Sequence, residues 1–119
     1  MPFYNSDELR RNEIAPGVNI KTVWGEKIMM SIVEIEPNAV VPNHTHPHEQ
    51  AGMMIQGEFE MTIGDETKVM TVGDTYIIPG GVEHSVHCGG IKAIALDIFS
   101  PPREDYMGGD EKPNLTVRS

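Results

Sequence analysis

A chain of 119 residues has room for one domain on one modest hydrophobic core, since single cores usually belong to chains of about 100–150 residues. Nine Lys and Arg against 18 Asp and Glu give a net charge of −9, which repels phosphate backbones and anionic lipid surfaces and so excludes nucleic acid and membrane as expected partners. The one cysteine, Cys88, permits no intramolecular disulfide and fits a reducing compartment.

The N-terminal MPFYNSDELRR lacks the apolar run of a signal peptide, and no stretch approaches the ~20 apolar residues of a membrane span. A soluble cytoplasmic protein is expected. From about residue 18 to residue 99, short segments rich in Val, Ile and Met alternate with Pro, Gly and Asn, the rhythm of an all-β sandwich or barrel. In chain order the expected strands are Val18–Trp24, Ile28–Ile35, Gln50–Gln56, Glu58–Ile63, Lys68–Val72, Thr75–Ile78, Glu83–Cys88 and Ile91–Phe99. Pro37-Asn38, Gly64-Asp65 and Pro79-Gly80-Gly81 supply turns, the first because proline presets φ and asparagine tolerates the left-handed region. The polar residues 107–119 form a tail beyond a single domain of residues 1–106.

The segment HTHPHEQ, residues 44–50, concentrates metal-ligand chemistry. Side chains two apart on an extended strand share a face, so His44 and His46 can ligate one ion. Imidazole nitrogens sit roughly 2.0–2.1 Å from a metal such as zinc, and further donors must arrive from Gln50, Glu49, His48 or the distant His84 and His87. A solvated polar loop is the plainer alternative. Against it, Pro42 and Pro47 bracket the pair, and His84 follows a tight turn that can return it to the same cavity.

These residues carry a resemblance. Asn38 to Gly57 resembles the first cupin motif, G-x5-H-x-H-x3-4-E-x6-G, through His44, His46, Gln50 and Gly57. Gly73 to Cys88 resembles the second, G-x5-P-x-G-x2-H-x3-N, through Gly73, Pro79, Gly81 and His84. The resemblance implies an all-β, single-domain cupin, a double-stranded β-helix or jelly-roll barrel, with a divalent metal on His44, His46, Gln50 and His84. It also implies a homodimer, with which the apolar face Ile94, Leu96 and Ile98 agrees. Gln50 stands where most cupins have glutamate, and an amide cancels none of the ion's charge. The metal therefore stays a stronger Lewis acid. Three imidazoles and an amide suit nickel, iron, manganese, cobalt, copper or zinc. Gln50 facing inwards puts Glu49 outwards. His48 keeps the ligands' parity and is a candidate substrate contact, whereas His87 has the opposite parity to His84.

Residues 95–105, ALDIFSPPRED, form a second constellation. Alternation puts Ile91, Ala93, Ala95, Asp97 and Phe99 on one face, and Lys92, Ile94, Leu96 and Ile98 on the other, which can pack a core or a dimer partner. Two alanines beside Asp97 leave space around a carboxylate whose pKa burial should raise, as suits a general acid or base. A structural Asp97–Arg103 or Asp97–backbone contact is the alternative. Arg103, after the stiff Pro101-Pro102, can aim its guanidinium at a carboxylate ligand or pair with Glu104 or Asp105.

The spacing Asp97, Phe99, Arg103, with the HxHxHEQ segment, resembles a narrower group, the small pectin-degradation cupins of the KdgF type. That group converts 4,5-unsaturated monouronates into the linear 5-keto sugar acid. The resemblance implies that Arg103 binds the uronate carboxylate, Phe99 lines the sugar ring and Asp97 moves a proton. The rival expectations are a cupin dioxygenase on the same metal, and a cupin that only binds a small molecule or metal.

Overall fold

The computed structural model describes residues 3–107. Ten strands run in chain order: β1 (Asn12–Ala15), β2 (Val18–Trp24), β3 (Met29–Ile35), β4 (Val40–His44), β5 (Glu49–Gln56), β6 (Phe59–Ile63), β7 (Glu66–Met70), β8 (Thr75–Ile78), β9 (His84–Cys88) and β10 (Ala93–Ser100). They form a six-stranded sheet, β1-β2-β3-β10-β5-β8, facing a four-stranded sheet, β4-β9-β6-β7. Every pairing is antiparallel. The expected all-β, single-domain architecture of two facing sheets is the observed one. The tail expected over residues 107–119 lies outside the described residues except for Met107.

Alternation explains which face is inside. On β2 and β3, Val18, Ile20, Val33 and Ile35 point inwards and meet Phe59 and Met61 of the opposite sheet. Each such side chain, fully buried, contributes ~1.5–3 kcal/mol. One row breaks this pattern. Thr22, Ser31, Asp97, Gly52 and Tyr76 lie side by side across β2, β3, β10, β5 and β8. All but Gly52, which has no side chain, are polar or carry a hydroxyl, and Thr22, Ser31, Tyr76 and Asp97 are buried. The sheet forgoes hydrophobic stabilisation along this line, as folds do where a site is built.

Most expected strands are present, with differences that have local causes. β7 begins two residues before the expected Lys68 because the Gly64-Asp65 turn pairs Ile63 directly with Glu66. Its residues are mostly exposed, so pairing rather than hydrophobic alternation sets its start. β1 and β4 are not among the expected strands: β1 is short, polar and held by β2 alone, and β4 contains Pro42 and Asn43 and buries none of its residues fully. Asn38 adopts φ 66, the left-handed conformation expected of that turn. The alanine face of β10 is the barrel interior, while Ile94, Leu96 and Ile98 point outwards and are half-buried. That outer face packs no barrel core. It continues onto exposed Met30, Met53, Ile55 and Ile77. Among the described residues no helix is long and apolar enough to cross a membrane.

Candidate metal centre and active site

β4 ends at His44, which pairs with His84 at the start of β9. His46 lies one turn beyond, in a loop, not on a continuing strand. Its direction is set instead by the Pro79-Gly80-Gly81 turn. Gly81 donates its N–H to the His46 carbonyl at 2.9 Å, and Gly80 packs so closely that a Cβ there would stand 2.2 Å from the Pro47 carbonyl oxygen. The His46-Pro47 segment and the Pro79-Gly80-Gly81 turn are thus parts of one clamp.

Three imidazoles converge. Ring centroids are 4.2 Å apart for His44 and His84, 4.9 Å for His46 and His84, and 5.8 Å for His44 and His46. Their candidate ligand atoms all lie within 4.8 Å of one another. Each ring is oriented in the same way, since a carbonyl can only accept. His44 Nδ1 donates to Pro42 O at 2.8 Å, His46 Nδ1 to His48 O at 3.1 Å and His84 Nδ1 to Val82 O at 2.9 Å. In the neutral ring this leaves Nε2 with a lone pair, the tautomer that metal-ligating histidines commonly have.

Burial favours the neutral ring at His46 and His84. It is the main cause that lowers the His84 pKa to about 4, and with the Arg103 charge it lowers that of His46. His84 Nε2 is buried with no hydrogen-bond partner, which is costly unless something binds there.

Gln50 completes the set. Its Oε1 stands 3.1 Å from His46 Nε2. With the His46 proton committed to Nδ1, this is a meeting of two lone pairs, not a hydrogen bond. Two atoms each about 2.0–2.1 Å from a shared ion would be roughly 2.9–3.4 Å apart at octahedral to tetrahedral angles. The other end of the amide fixes its orientation, because Gln50 also hydrogen-bonds the Asp97 carboxylate, which can only accept. The residues therefore fit a cation held by three Nε2 atoms and one amide oxygen.

Asp97 is buried and accepts the Tyr76 hydroxyl at 2.5 Å. Burial raises its pKa to about 6, opposed by hydrogen bonds from Tyr76 and Gln50 and by the Arg103 charge. The same burial, reinforced by Asp97, drives the Tyr76 phenol far upward, so it stays a donor. Tyr76 is one of the residues that sequence reasoning missed, with Tyr106 and Ile14. The signal for Tyr76 was available as the inward position two residues before Ile78 on an alternating strand.

Arg103 is buried and does not bind Asp97 directly. Nε and Nη2 donate to Asp105 at 3.2 and 2.6 Å, and the guanidinium carbon sits 3.8 Å from the Tyr106 ring centroid. Phe99 is fully buried and meets His46 and Tyr106 edge-on, at 5.7 and 5.6 Å between centroids. It stands behind the cavity wall, and Tyr106 lines the cavity in front of it. His48 likewise lies off that wall, with Nε2 paired to Glu104 at 3.1 Å. His87 is exposed.

The cavity, about 40 Å³, is bounded by His44, Gln50, His84, Asp97, Arg103 and Tyr106 among others. It opens into an outer pocket of about 390 Å³ between Ile14, Val41, Pro42, Arg103 and Tyr106. Ile14 comes from β1, one of the two strands that sequence reading overlooked.

A family profile described as a cupin domain matches residues 31–99. The chain is 28% identical over 107 residues to the pectin degradation protein KdgF of Dickeya dadantii, covering 88% of this chain and 97% of that one. Among solved structures, KdgF from Halomonas sp. superposes with a TM-score of 0.83 at 27% identity, covering 89% of this chain and 98% of that one. An RmlC-like cupin from Shewanella frigidimarina gives the same TM-score and identity, covering 89% and 96%.

Proposed function

The chain belongs to the cupin domain family, and on that premise we propose that it is a metal-dependent, isomerase-like enzyme that converts a 4,5-unsaturated uronate into its linear keto sugar acid. The observation that carries this reading is Asp97: a buried carboxyl, pushed up to about 6, that shares a cavity with a guanidinium and with His44 and His84, two of the three converging imidazoles. The likeness to KdgF proteins over nearly the whole length of both chains supports it.

A divalent ion on His44, His46, Gln50 and His84 would supply Lewis acidity towards a substrate oxygen. The chain's own residues do the rest. Arg103, steadied by Asp105 and Tyr106, binds the uronate carboxylate. Tyr106 and Ile14 flank the ring at the mouth. Asp97 handles the proton: the anomeric hydroxyl loses one as the ring C–O bond opens, and one is added at C4 as the C5 enol becomes a ketone. Atoms balance and no electron is gained or lost. A carboxyl with a pKa near 6 is suited to both halves of that exchange.

The test is to follow the ultraviolet absorbance of 4,5-unsaturated galacturonate with purified protein, with and without a chelator. Metal-dependent loss of the conjugated double bond is expected. No loss with metal demonstrably bound would sink this substrate, and oxygen uptake would then test the dioxygenase alternative. The same reading includes a homodimer formed through the outward Ile94, Leu96 and Ile98 face of β10. Light scattering should return the mass of two chains, and a monomer mass at assay concentration would remove that part.

A further inference from the structure

Tyr76, Gly52 and Asp97 occupy neighbouring strands at one level of the barrel, and their contacts are tighter than packing alone needs. A Cβ on Gly52 would stand 2.2 Å from Tyr76 Cζ and 2.4 Å from Asp97 Oδ1. Any side chain at position 52 would force apart the phenol and the carboxylate. The absent side chain is what lets the Tyr76 ring lie flat over β5 and reach across it to β10, one of the close approaches for which a strand glycine is used.

The carboxylate so held also takes a hydrogen bond from Gln50, whose oxygen faces the imidazole cluster. Tyr76, Asp97 and Gln50 thus form one string from β8 to the metal-binding atoms. On the far side of Asp97, Ser31 Oγ is buried without a partner, so the orientation of the carboxylate is set from the Tyr76 side.

We propose that Tyr76 is a positioning residue: seated in the space left by Gly52, it fixes the Asp97 carboxylate and, through it, the direction of the Gln50 amide. This rests on the uronate reading for its catalytic consequence, but not for its structural one. Without the phenol, Asp97 can swing towards Ser31 and the amide loses its anchor. Partners of this outer kind typically change metal affinity or activity by about 10–100-fold when removed.

The experiment compares wild type, Tyr76→Phe and Asp97→Asn, all loaded with zinc as the probe metal. It reads zinc stoichiometry, kcat and KM on unsaturated galacturonate, and the side-chain NH2 signals of Gln50 by NMR. In Tyr76→Phe, kcat should fall about 10–100-fold with KM little changed, zinc still bound, and the Gln50 signals displaced and exchanging faster with solvent. Phe keeps the packing of the ring. Gly52→Ala, which retains both polar groups and displaces them, is the second variant and should lose kcat in the same way.

Wild-type kcat in Tyr76→Phe, while Asp97→Asn is inactive, would overturn the positioning role. If Asp97→Asn itself turned over normally, the mechanism proposed above would fail. The Gln50 signals would then decide this inference alone: displaced in Tyr76→Phe they uphold it, unmoved they overturn it.

Discussion

Asp97→Asn should abolish turnover, by about 10²–10⁴-fold, while the protein keeps its metal and, above neutral pH, becomes more stable. The stability part follows from the raised pKa. Asp97 moves from 3.8 to about 6 on folding, chiefly because burial disfavours the charged form. Below pH 4 the group is neutral in both states and costs nothing. Between pH 4 and 6 the unfolded chain loses its proton while the native chain holds it, so the native state becomes relatively less stable. Above pH 6 the whole cost is present, about 3 kcal/mol for two units.

Asparagine never charges, so it avoids that cost. Its Oδ1 still accepts from Tyr76, but its NH2 cannot accept from Gln50, a loss of about 0.5–1.5 kcal/mol. Metal-free Asp97→Asn should therefore exceed wild type by about 1–2 kcal/mol at pH 8 and fall below it at pH 4. His84 titrates in the same region with the opposite sign. Its pKa is lowered to about 4, so its contribution is lost as pH falls from 6.5 towards 4. The difference between variant and wild type cancels that effect. Urea denaturation in chelator at both pH values measures it. Retained turnover would remove Asp97 from the mechanism, and a variant less stable at pH 8 would mean its hydrogen bonds outweigh the buried charge.

What could be read before folding, and what could not, divides along physical lines. Period-two alternation put Asp97 and Phe99 inside with Ala93 and Ala95, because that pattern reports only which face is apolar, and burial agrees. The convergence of His44, His46 and His84 was legible through two motifs with glycine and proline at turn positions. Distances between strands were not. Tyr76 lies 21 positions from Asp97 in sequence, and nothing local to residue 76 says that Gly52 leaves room for its ring. How deep Phe99 lies within the barrel was not legible for a related reason. Alternation put Phe99 inwards correctly, but depth within the barrel depends on what the chain does after Pro101. There the turn at Glu104–Tyr106 lays Tyr106 in front of Phe99 and draws Glu104 onto His48.

Gln50 is where these pieces meet, and its two substitutions should separate. Gln50→Ala removes the proposed ligand oxygen and should weaken metal binding by about 10–100-fold. Gln50→Glu supplies an oxygen of greater charge in the same place, so metal should be retained, yet kcat should fall by about 100-fold or more. Two causes act together. A carboxylate ligand cancels part of the ion's charge and reduces its Lewis acidity. It also replaces the NH2 that Asp97 accepts from with a second carboxylate, and adjacent carboxylates share a proton, so Asp97 would hold its proton too tightly to exchange it.

The double variant Gln50→Glu with Asp97→Asn restores an amide–carboxylate pair with its polarity reversed. It should regain stability lost in Gln50→Glu but not turnover, because the carboxylate that moves the proton is then bound to the metal. Metal content by elemental analysis, urea midpoints and the ultraviolet assay read these separately. Wild-type turnover in Gln50→Glu would show that an amide at this position is a matter of ancestry, and that the pairing of Gln50 with Asp97 does not govern the chemistry.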